Sequence, residues 1–185
     1  MKYYQTQTNM ILLHTCTNLF ADTEELLNDK LCNQFIDTYY RSQDKIIIAN
    51  PVLKNYLKEK HPEISFVNST TLDIVDINRI NTMTEHEGYV IYYGKNNDNE
   101  YLSQLTHKEN IEILCGELCI PNCPNRKTHY EAISKSYSGD NEALINFTTE
   151  HICPKQSNIP FEEVIKYPHF ITNQRINELS EMGFS

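Results

Sequence analysis

The chain has 185 residues, of which 39% are hydrophobic and 22% charged, and its formal net charge is −9. That length suits one domain with its own hydrophobic core, so we expect residues 1–185 to form a single domain. The acidic balance argues against a broad nucleic-acid-binding face, which needs clustered Lys and Arg, and leaves a local basic patch open. No apolar run approaches the roughly 20 residues that span a membrane. The apolar run at residues 10–13 is too short for the core of a secretory signal, which predicts a cytoplasmic protein.

Short apolar runs alternate with amphipathic segments through the first half of the chain. Continuous runs of β-branched residues predict buried strands, and apolar residues at helical spacing predict helices. In chain order we predict a strand at 10–14, a helix at 22–41, a strand at 45–49, a helix at 51–60, a strand at 64–67, a helix from 76 to about 86 and a strand at 88–92.

The same alternation continues beyond residue 92 and then weakens. The predicted elements are a short helix capped by Asp98, a strand at 111–114, a helix from Arg126, a loop at 135–140, a short apolar piece at 143–147, a helical turn at 160–165, a strand at 169–171 and a helix at 173–182. Strands at intervals of about 20 residues separated by helices predict an α/β fold. We expect a parallel sheet of about six strands with alternating helices covering both faces.

Three cysteines, Cys115, Cys119 and Cys123, follow the predicted strand 111–114 at a spacing of four. Prolines at positions 121 and 124 disfavour a helix through this segment, so turns should present the thiols. Thiolates are soft ligands for zinc, iron and iron–sulfur clusters, and cysteines in a reducing cytoplasm are more often free, metal-bound or catalytic than disulfide-bonded. The pattern therefore predicts a loop that can bind a metal.

A further cysteine, Cys153, precedes a proline in a second irregular stretch. Together with Cys119 and Cys123 it predicts an iron–sulfur or zinc site. The fourth ligand stays open, and the candidates are Cys115, Cys16, His129 and an exogenous group. The competing interpretation is that the thiols are buried and bind no metal, as free cysteines often are.

Asn50, Asn68 and Asn96 lie at or after the ends of predicted strands. In parallel α/β folds the carboxyl ends of the strands meet at one edge, and binding sites form there. We therefore predict that these three side chains help to bind a cofactor or substrate, although each also suits a turn.

Two titratable residues beside the cysteines, Glu112 and His129, are candidate catalytic groups. Glu112 lies within the predicted strand 111–114, and in a closed barrel its carboxylate would face the interior. There it must pair with a cation, a metal or hydrogen-bond donors, so it is either half of a structural salt bridge or a site acid. His129 and Arg126 begin the next helix, where they either meet a ligand anion or belong to a solvated helix face.

Three segments carry a family resemblance: EILCGELCIPNCPNRKTHYEAIS at 112–134, HICPKQ at 151–156 and HFITNQRINELSEMGF at 169–184. Together they resemble the peptidase U-thirty-two family, the collagenase-like proteases, and its shorter relatives in bacteria and phages. The resemblance implies a TIM-type barrel, here incomplete or modified, with Glu112 as the strand carboxylate. It also implies that Cys119, Cys123 and Cys153 ligate a metal or cluster. Members of the wider family are similar to oxygen-independent hydroxylases with an iron–sulfur cluster on four cysteines, and others are peptidases.

Two functional classes follow from these patterns. With a cluster, the chain would be a hydroxylase- or peptidase-like enzyme acting on an unknown substrate. With a closed zinc site or free buried thiols, it would be a non-catalytic structural or partner-binding protein, because a closed tetrahedral site leaves no position for substrate. A radical-SAM loop would separate its cysteines by three and then two residues, whereas both gaps here are three, which disfavours that interpretation.

An incomplete barrel also leaves an open sheet edge. The chain ends after the predicted helix 173–182, where a closed barrel would need another strand, so the predicted strand 169–171 would lie at that edge. Either a second copy covers the edge in a two-fold homodimer, or the N-terminal segment 2–14 closes the gap within one chain.

Overall fold

A parallel sheet forms the centre of the protein in a computed structural model, which describes residues 12–14, 23–28, 30–42, 44–84, 87–117, 119, 122–137, 139–151, 160–167 and 170–184. Its strands are β1 (Leu12–His14), β2 (Lys45–Ile48), β3 (Ser65–Asn68), β4 (Glu87–Val90) and β5 (Ile111–Glu112). They lie in the sequential order β1-β2-β3-β4-β5, and every neighbouring pair is parallel. The predicted α/β class with a parallel sheet and alternating helices is confirmed.

Helices connect successive strands and continue after β5. Within the described residues they are α1 (Thr23–Asn28), α2 (Lys30–Tyr39), α3 (Pro51–Lys60), α4 (Ile77–Asn81), α5 (Asn99–Ser103), α6 (Arg126–Tyr137), α7 (Asn141–Glu150), α8 (Phe161–Val164) and α9 (Asn173–Glu181). None of these helices is long and apolar enough to cross a membrane.

Side-chain caps fix where several helices begin. Asn50 starts α3, because its Oδ1 accepts hydrogen bonds from the backbone N–H groups of Val52 and Leu53. Pro51 occupies the first turn, where its missing N–H leaves no helical hydrogen bond unmade. The equivalent caps of α4, α5, α7 and α9 are Asp76, Asp98, Asp140 and Thr172.

The strand register assigns residues to two faces of the sheet. Ile46 pairs with Phe66, and Tyr89 pairs with Ile111, and all four are buried on the face that packs against helices. The strand members of both apolar clusters in the described residues lie on this face. The predicted cover of the opposite face by helices stays a prediction. The clusters take their helical members from α2, α3, α4, α5 and α9, and these members include Ile36, Leu53, Leu57, Ile80, Leu102 and Leu179.

The opposite face carries a different set of side chains. By the same register it presents Lys45, Ile47, Val67, Val90 and Glu112. Its charged members are Lys45 and Glu112, whereas by the same register the helix-packed face carries Glu87.

Several boundaries differ from the sequence prediction. β5 ends at Glu112 rather than at residue 114, because the next carbonyls bind other partners: Asn96 Nδ2 donates to Leu114 O, and the Ile171 N–H donates to Cys115 O. The predicted strand 169–171 is not formed at Phe170 and Ile171, and residue 169 lies outside the described residues.

The helical segments also differ from the prediction. Within the predicted helix 22–41, α1 covers Thr23–Asn28 and α2 covers Lys30–Tyr39, and residue 29 lies outside the described residues. The predicted loop 135–140 is partly helical, since α6 continues to Tyr137. The predicted short apolar piece 143–147 is part of the ten-residue helix α7, which Asp140 caps through a hydrogen bond from the Ala143 N–H.

Candidate functional site

The three predicted ligand cysteines lie in the segment 115–125 between β5 and α6, which we call the cysteine loop. Cys115, Cys119 and Cys123 all carry free thiols; Cys115 is exposed, and the other two are half-buried. The backbone N–H of Cys119 donates a 3.0 Å hydrogen bond to Glu117 Oε1, which closes a local turn. The loop therefore exposes its first cysteine to solvent and partly shields its second and third.

Arg126, the first residue of α6, anchors this loop. Its side chain is only 3% exposed, and its Nη2 donates a 3.3 Å hydrogen bond to Glu117 Oε2. Its Nη1 lies 3.3 Å from Asp73 Oδ1 in a second ion pair. The guanidinium carbon lies 4.9 Å from the ring centroid of Tyr93 and 4.8 Å from that of Tyr130.

Four segments meet at this guanidinium. Asp73 follows β3 and Tyr93 follows β4, while Glu117 belongs to the cysteine loop and Tyr130 to α6. Since the carboxyl ends of parallel strands share one edge, one buried side chain joins the segments that leave three neighbouring strands. The sequence predicted that Arg126 meets a ligand anion or solvent, but its two carboxylate partners come from the chain itself.

Burial sets the protonation of the groups around Arg126. It raises the pKa of Asp73 above its ordinary value, although the positive charge of Arg126 acts in the opposite direction. It also raises the pKa values of Tyr93 and Tyr130, so both rings stay neutral over the physiological pH range. The cluster therefore contains one permanent cation facing the carboxyl groups of Asp73 and Glu117.

Cys119 shares this environment. Burial raises the pKa of its thiol, Arg126 partly offsets that effect, and the nearby Cys123 and Glu117 raise it further. A hydrogen bond with the Tyr93 hydroxyl favours the thiolate. Because the net result is a raised pKa, Cys119 is protonated at neutral pH, which is unlike the lowered pKa of nucleophilic cysteines.

The cysteine thiols are chemically suited to bind a metal, and two of them, Cys119 and Cys123, lie near each other. A metal ion displaces the proton of a thiol, so a raised pKa is compatible with ligation. Cys119 and Cys123 are close enough to influence each other electrostatically. However, no group of three or more His, Cys, Asp or Glu side chains suited to a metal occurs within the described part of the chain. Cys153 and Cys16 lie outside it.

His129 lies in the contact between α6 and α7. Its ring stacks on Phe147 with a centroid distance of 4.8 Å, and the other side of Phe147 stacks on His151 at 4.7 Å. This three-ring stack contributes to the packing between α6 and α7. The predicted catalytic role of His129 stays a prediction.

Glu112 is half-buried on the face of the sheet opposite the helices. Burial raises the pKa of its carboxyl group, and the charge of Lys45 partly offsets the effect. Lys45 Nζ also donates a 3.4 Å hydrogen bond to Asn110 Oδ1. Glu112 thus has a cation nearby, as the salt-bridge hypothesis requires. The site-acid hypothesis stays a prediction.

The three predicted rim asparagines are buried and make structural hydrogen bonds. Asn50 caps α3. Asn68 Nδ2 donates to the carbonyl of Gly88, and Asn96 Nδ2 donates to the carbonyl of Leu114. These bonds hold strand ends and loops in place at the carboxyl edge, and the predicted contact with a cofactor or substrate stays a prediction.

Asp73, Tyr93 and Tyr130 were not singled out from the sequence. Tyr130 lies four residues after Arg126, and that spacing places two helical side chains on the same side. Tyr93 follows β4 just as the cysteine loop follows β5. The sequence therefore predicts that both lie at the carboxyl edge of the sheet. Asp73 has a left-handed backbone with φ of 48°, and no sequence pattern indicates its contact with Arg126.

The chain matches no protein-family model, no curated protein and no solved structure. Membership of the peptidase U-thirty-two family therefore stays a prediction based on the three segments described above.

Proposed function

We propose that this protein is a peptidase U-thirty-two-like barrel protein that holds a cysteine-ligated iron–sulfur cluster at the carboxyl edge of its sheet. The observation that carries the proposal is that two free thiols, Cys119 and Cys123, lie near each other in a loop anchored by Arg126. Cys115 and Cys153 complete the proposed set of four ligands. Thiolates are the ligands that such clusters and structural zinc share.

The barrel part of the proposal is supported by a contact between distant strands. Neighbouring strands lie about 4.8 Å apart, so β2 and β5 would be about 14 Å apart in a flat sheet. Lys45 at the start of β2 nevertheless reaches Asn110, which immediately precedes β5. This contact favours a sheet that is concave on the side of Lys45 and Glu112, as in the wall of a barrel.

The chemistry of the thiols favours ligation over nucleophilic catalysis. A nucleophilic cysteine needs a lowered pKa, whereas burial raises the pKa of Cys119. A bound cluster would supply redox or Lewis-acid chemistry for a hydroxylase- or peptidase-like reaction. In that case Glu112 and His129 are the proposed catalytic groups, and Asn50, Asn68 and Asn96 line the proposed route to the site.

Anaerobic purification followed by analysis of iron, zinc and acid-labile sulfide tests the proposal. We expect iron and sulfide together with visible charge-transfer absorption, and we expect Cys119→Ser and Cys123→Ser to abolish both. Cys32→Ser is the matched control, because Cys32 lies on α2 outside the cysteine loop, and it should retain the cluster.

Two outcomes would contradict the cluster. A colourless protein with about one zinc ion per chain would instead support the alternative function, a non-catalytic structural or partner-binding protein. Absence of both metals, with all six thiols titratable in the unfolded and anaerobically handled protein, would leave only free cysteines.

A further inference from the structure

We propose that Arg126 is the positioning residue of the cysteine loop: its guanidinium holds the loop in a shape that presents Cys119 and Cys123 before any metal binds. Only the purpose of this loop shape, which is to bind a metal, rests on the proposed function. The positioning of the loop by Arg126 does not. Arg126 is not itself a ligand, because a guanidinium has donors and no acceptor.

Arg126 is connected to Cys119 through Glu117. Glu117 uses its two carboxylate oxygens differently: Oε2 accepts from Arg126 Nη2, and Oε1 accepts from the backbone N–H of Cys119. One carboxylate therefore connects the guanidinium directly to the peptide group that carries the Cys119 side chain. Such outer contacts fix the orientation of metal ligands in proteins.

Arg126 is also held by several contacts at once. Its guanidinium lies over the rings of Tyr93 and Tyr130, and Tyr93 is fully buried. These two cation–π contacts, the hydrogen bond to Glu117 and the ion pair with Asp73 together restrict the position of the guanidinium. Because these contacts restrain the Arg126 side chain, its hydrogen bond with Glu117 restrains the cysteine loop.

A lysine at position 126 would differ from arginine in shape. It would keep the positive charge, but its single ammonium group cannot lie over both tyrosine rings and also reach Glu117 and Asp73 from separate nitrogens. The site therefore needs the shape of arginine as well as its charge. A surface ion pair would tolerate the substitution of arginine by lysine. The effects of this substitution at Arg126 and at a surface arginine can therefore be compared by experiment.

The experiment compares Arg126→Lys with Arg41→Lys in the metal-free full-length protein. Arg41 pairs with Asp44 just before β2 and is 42% exposed, which makes it a matched control. Amide hydrogen exchange of peptides covering residues 113–125 reports the shape of the loop. Competition between the protein and a chromophoric chelator for Co²⁺, followed by thiolate-to-cobalt absorption, reports metal binding.

We expect Arg126→Lys to accelerate exchange in the cysteine loop and to weaken Co²⁺ binding by on the order of 10- to 100-fold, the usual effect of losing an outer contact. Arg41→Lys should change neither. Wild-type exchange rates and Co²⁺ affinity in Arg126→Lys would overturn the inference. If only the exchange accelerates, and wild-type protein does not bind Co²⁺, the positioning role holds and the proposed metal site fails.

Glu117→Gln provides a second variant if Arg126→Lys does not fold. Gln keeps a carbonyl oxygen that can accept from the Cys119 N–H but removes the charge that pairs with Arg126. We expect smaller changes in the same direction for both measurements. Unchanged loop exchange in folded Glu117→Gln would overturn the inference independently of Arg126→Lys.

Discussion

The backbone N–H of Ile171 donates a 3.2 Å hydrogen bond to the carbonyl of Cys115, so the C-terminal segment is joined to the beginning of the cysteine loop. Next to this bond, Gly116 faces the ring of Phe170, and a Cβ at Gly116 would lie 3.1 Å from Phe170 Cε1. The segment before α9 thus covers backbone beyond the end of β5. Whether a second copy also pairs with this edge, as the predicted homodimer requires, stays a prediction.

Gly116→Val should separate the C-terminal segment from the loop. The added methyl groups would displace the Phe170 ring, and overpacking of this kind costs about 1–3 kcal/mol in the free energy of unfolding. Urea unfolding measures the loss. Phe170→Leu should partly relieve it, so the double variant should lose less stability than the sum of the single variants; strict additivity would show that the two side chains do not meet.

Gly88→Ala should be more harmful than Gly94→Ala. A Cβ at Gly88 would lie 2.6 Å from the backbone oxygen of Asn110, which cannot move without disturbing the start of β5. A Cβ at Gly94 would meet the ring of Tyr92, a side chain that can rotate. We expect Gly88→Ala to lose about 1–3 kcal/mol in urea unfolding. Equal losses for the two variants would contradict this explanation.

Asn50→Ala should destabilise the protein by about 1 kcal/mol, because it removes the cap of α3. Asn50→Ser should retain more of the stability than Asn50→Ala, since the neutral hydroxyl oxygen can still accept a hydrogen bond at the start of α3. Thermal unfolding measured by circular dichroism compares the two. If Asn50→Ala matches the wild-type protein in stability, the cap is not the reason for an asparagine at this position.

The alternation of strands and helices was predictable because local signals are strong there. Asp76 and Asp98 cap helices at the expected positions, and the run of isoleucines at 46–48 forms β2. The helix α7 was not predicted, because the loop pattern at 135–140 hides the capping role of Asp140. The end of β5 was missed because it depends on Asn96 and Ile171, whose contacts with the strand end are tertiary.

In the candidate site, too, the features set by neighbouring residues in the sequence were predictable, and those set by tertiary contacts were not. The grouping of Cys119 and Cys123 follows from their spacing in one loop. The burial of Arg126 does not, since it requires Asp73 and Tyr93 to arrive from the ends of two other strands. An arginine at the start of a helix is most often solvated, and only the assembled sheet edge reveals that this one is enclosed.

Glu112→Gln should increase stability at high pH and leave it unchanged at low pH. Burial raises the folded-state pKa of Glu112 above its ordinary value of 4.5, with Lys45 acting in the opposite direction. The folded protein therefore binds a proton that the unfolded chain releases, so this carboxyl group lowers stability as pH rises from 4.5 through the folded-state pKa. At pH values below the ordinary pKa both states are protonated, and the difference between Glu112→Gln and wild type should vanish.

Glu87→Gln provides a control of opposite sign. Burial alone would raise the pKa of Glu87, but its hydrogen bond and ion pair with Lys54 lower the pKa below 4.5. That carboxylate stabilises the fold above its ordinary pKa, and its contribution is lost as pH falls through the folded-state pKa. Urea unfolding between about pH 3.5 and about pH 8 should therefore show Glu112→Gln above wild type and Glu87→Gln below it at the alkaline end. A stability loss in Glu112→Gln at the alkaline end would mean that the electrostatic attraction between Glu112 and Lys45 outweighs the cost of burial, and that Glu112 is a structural residue rather than a site acid.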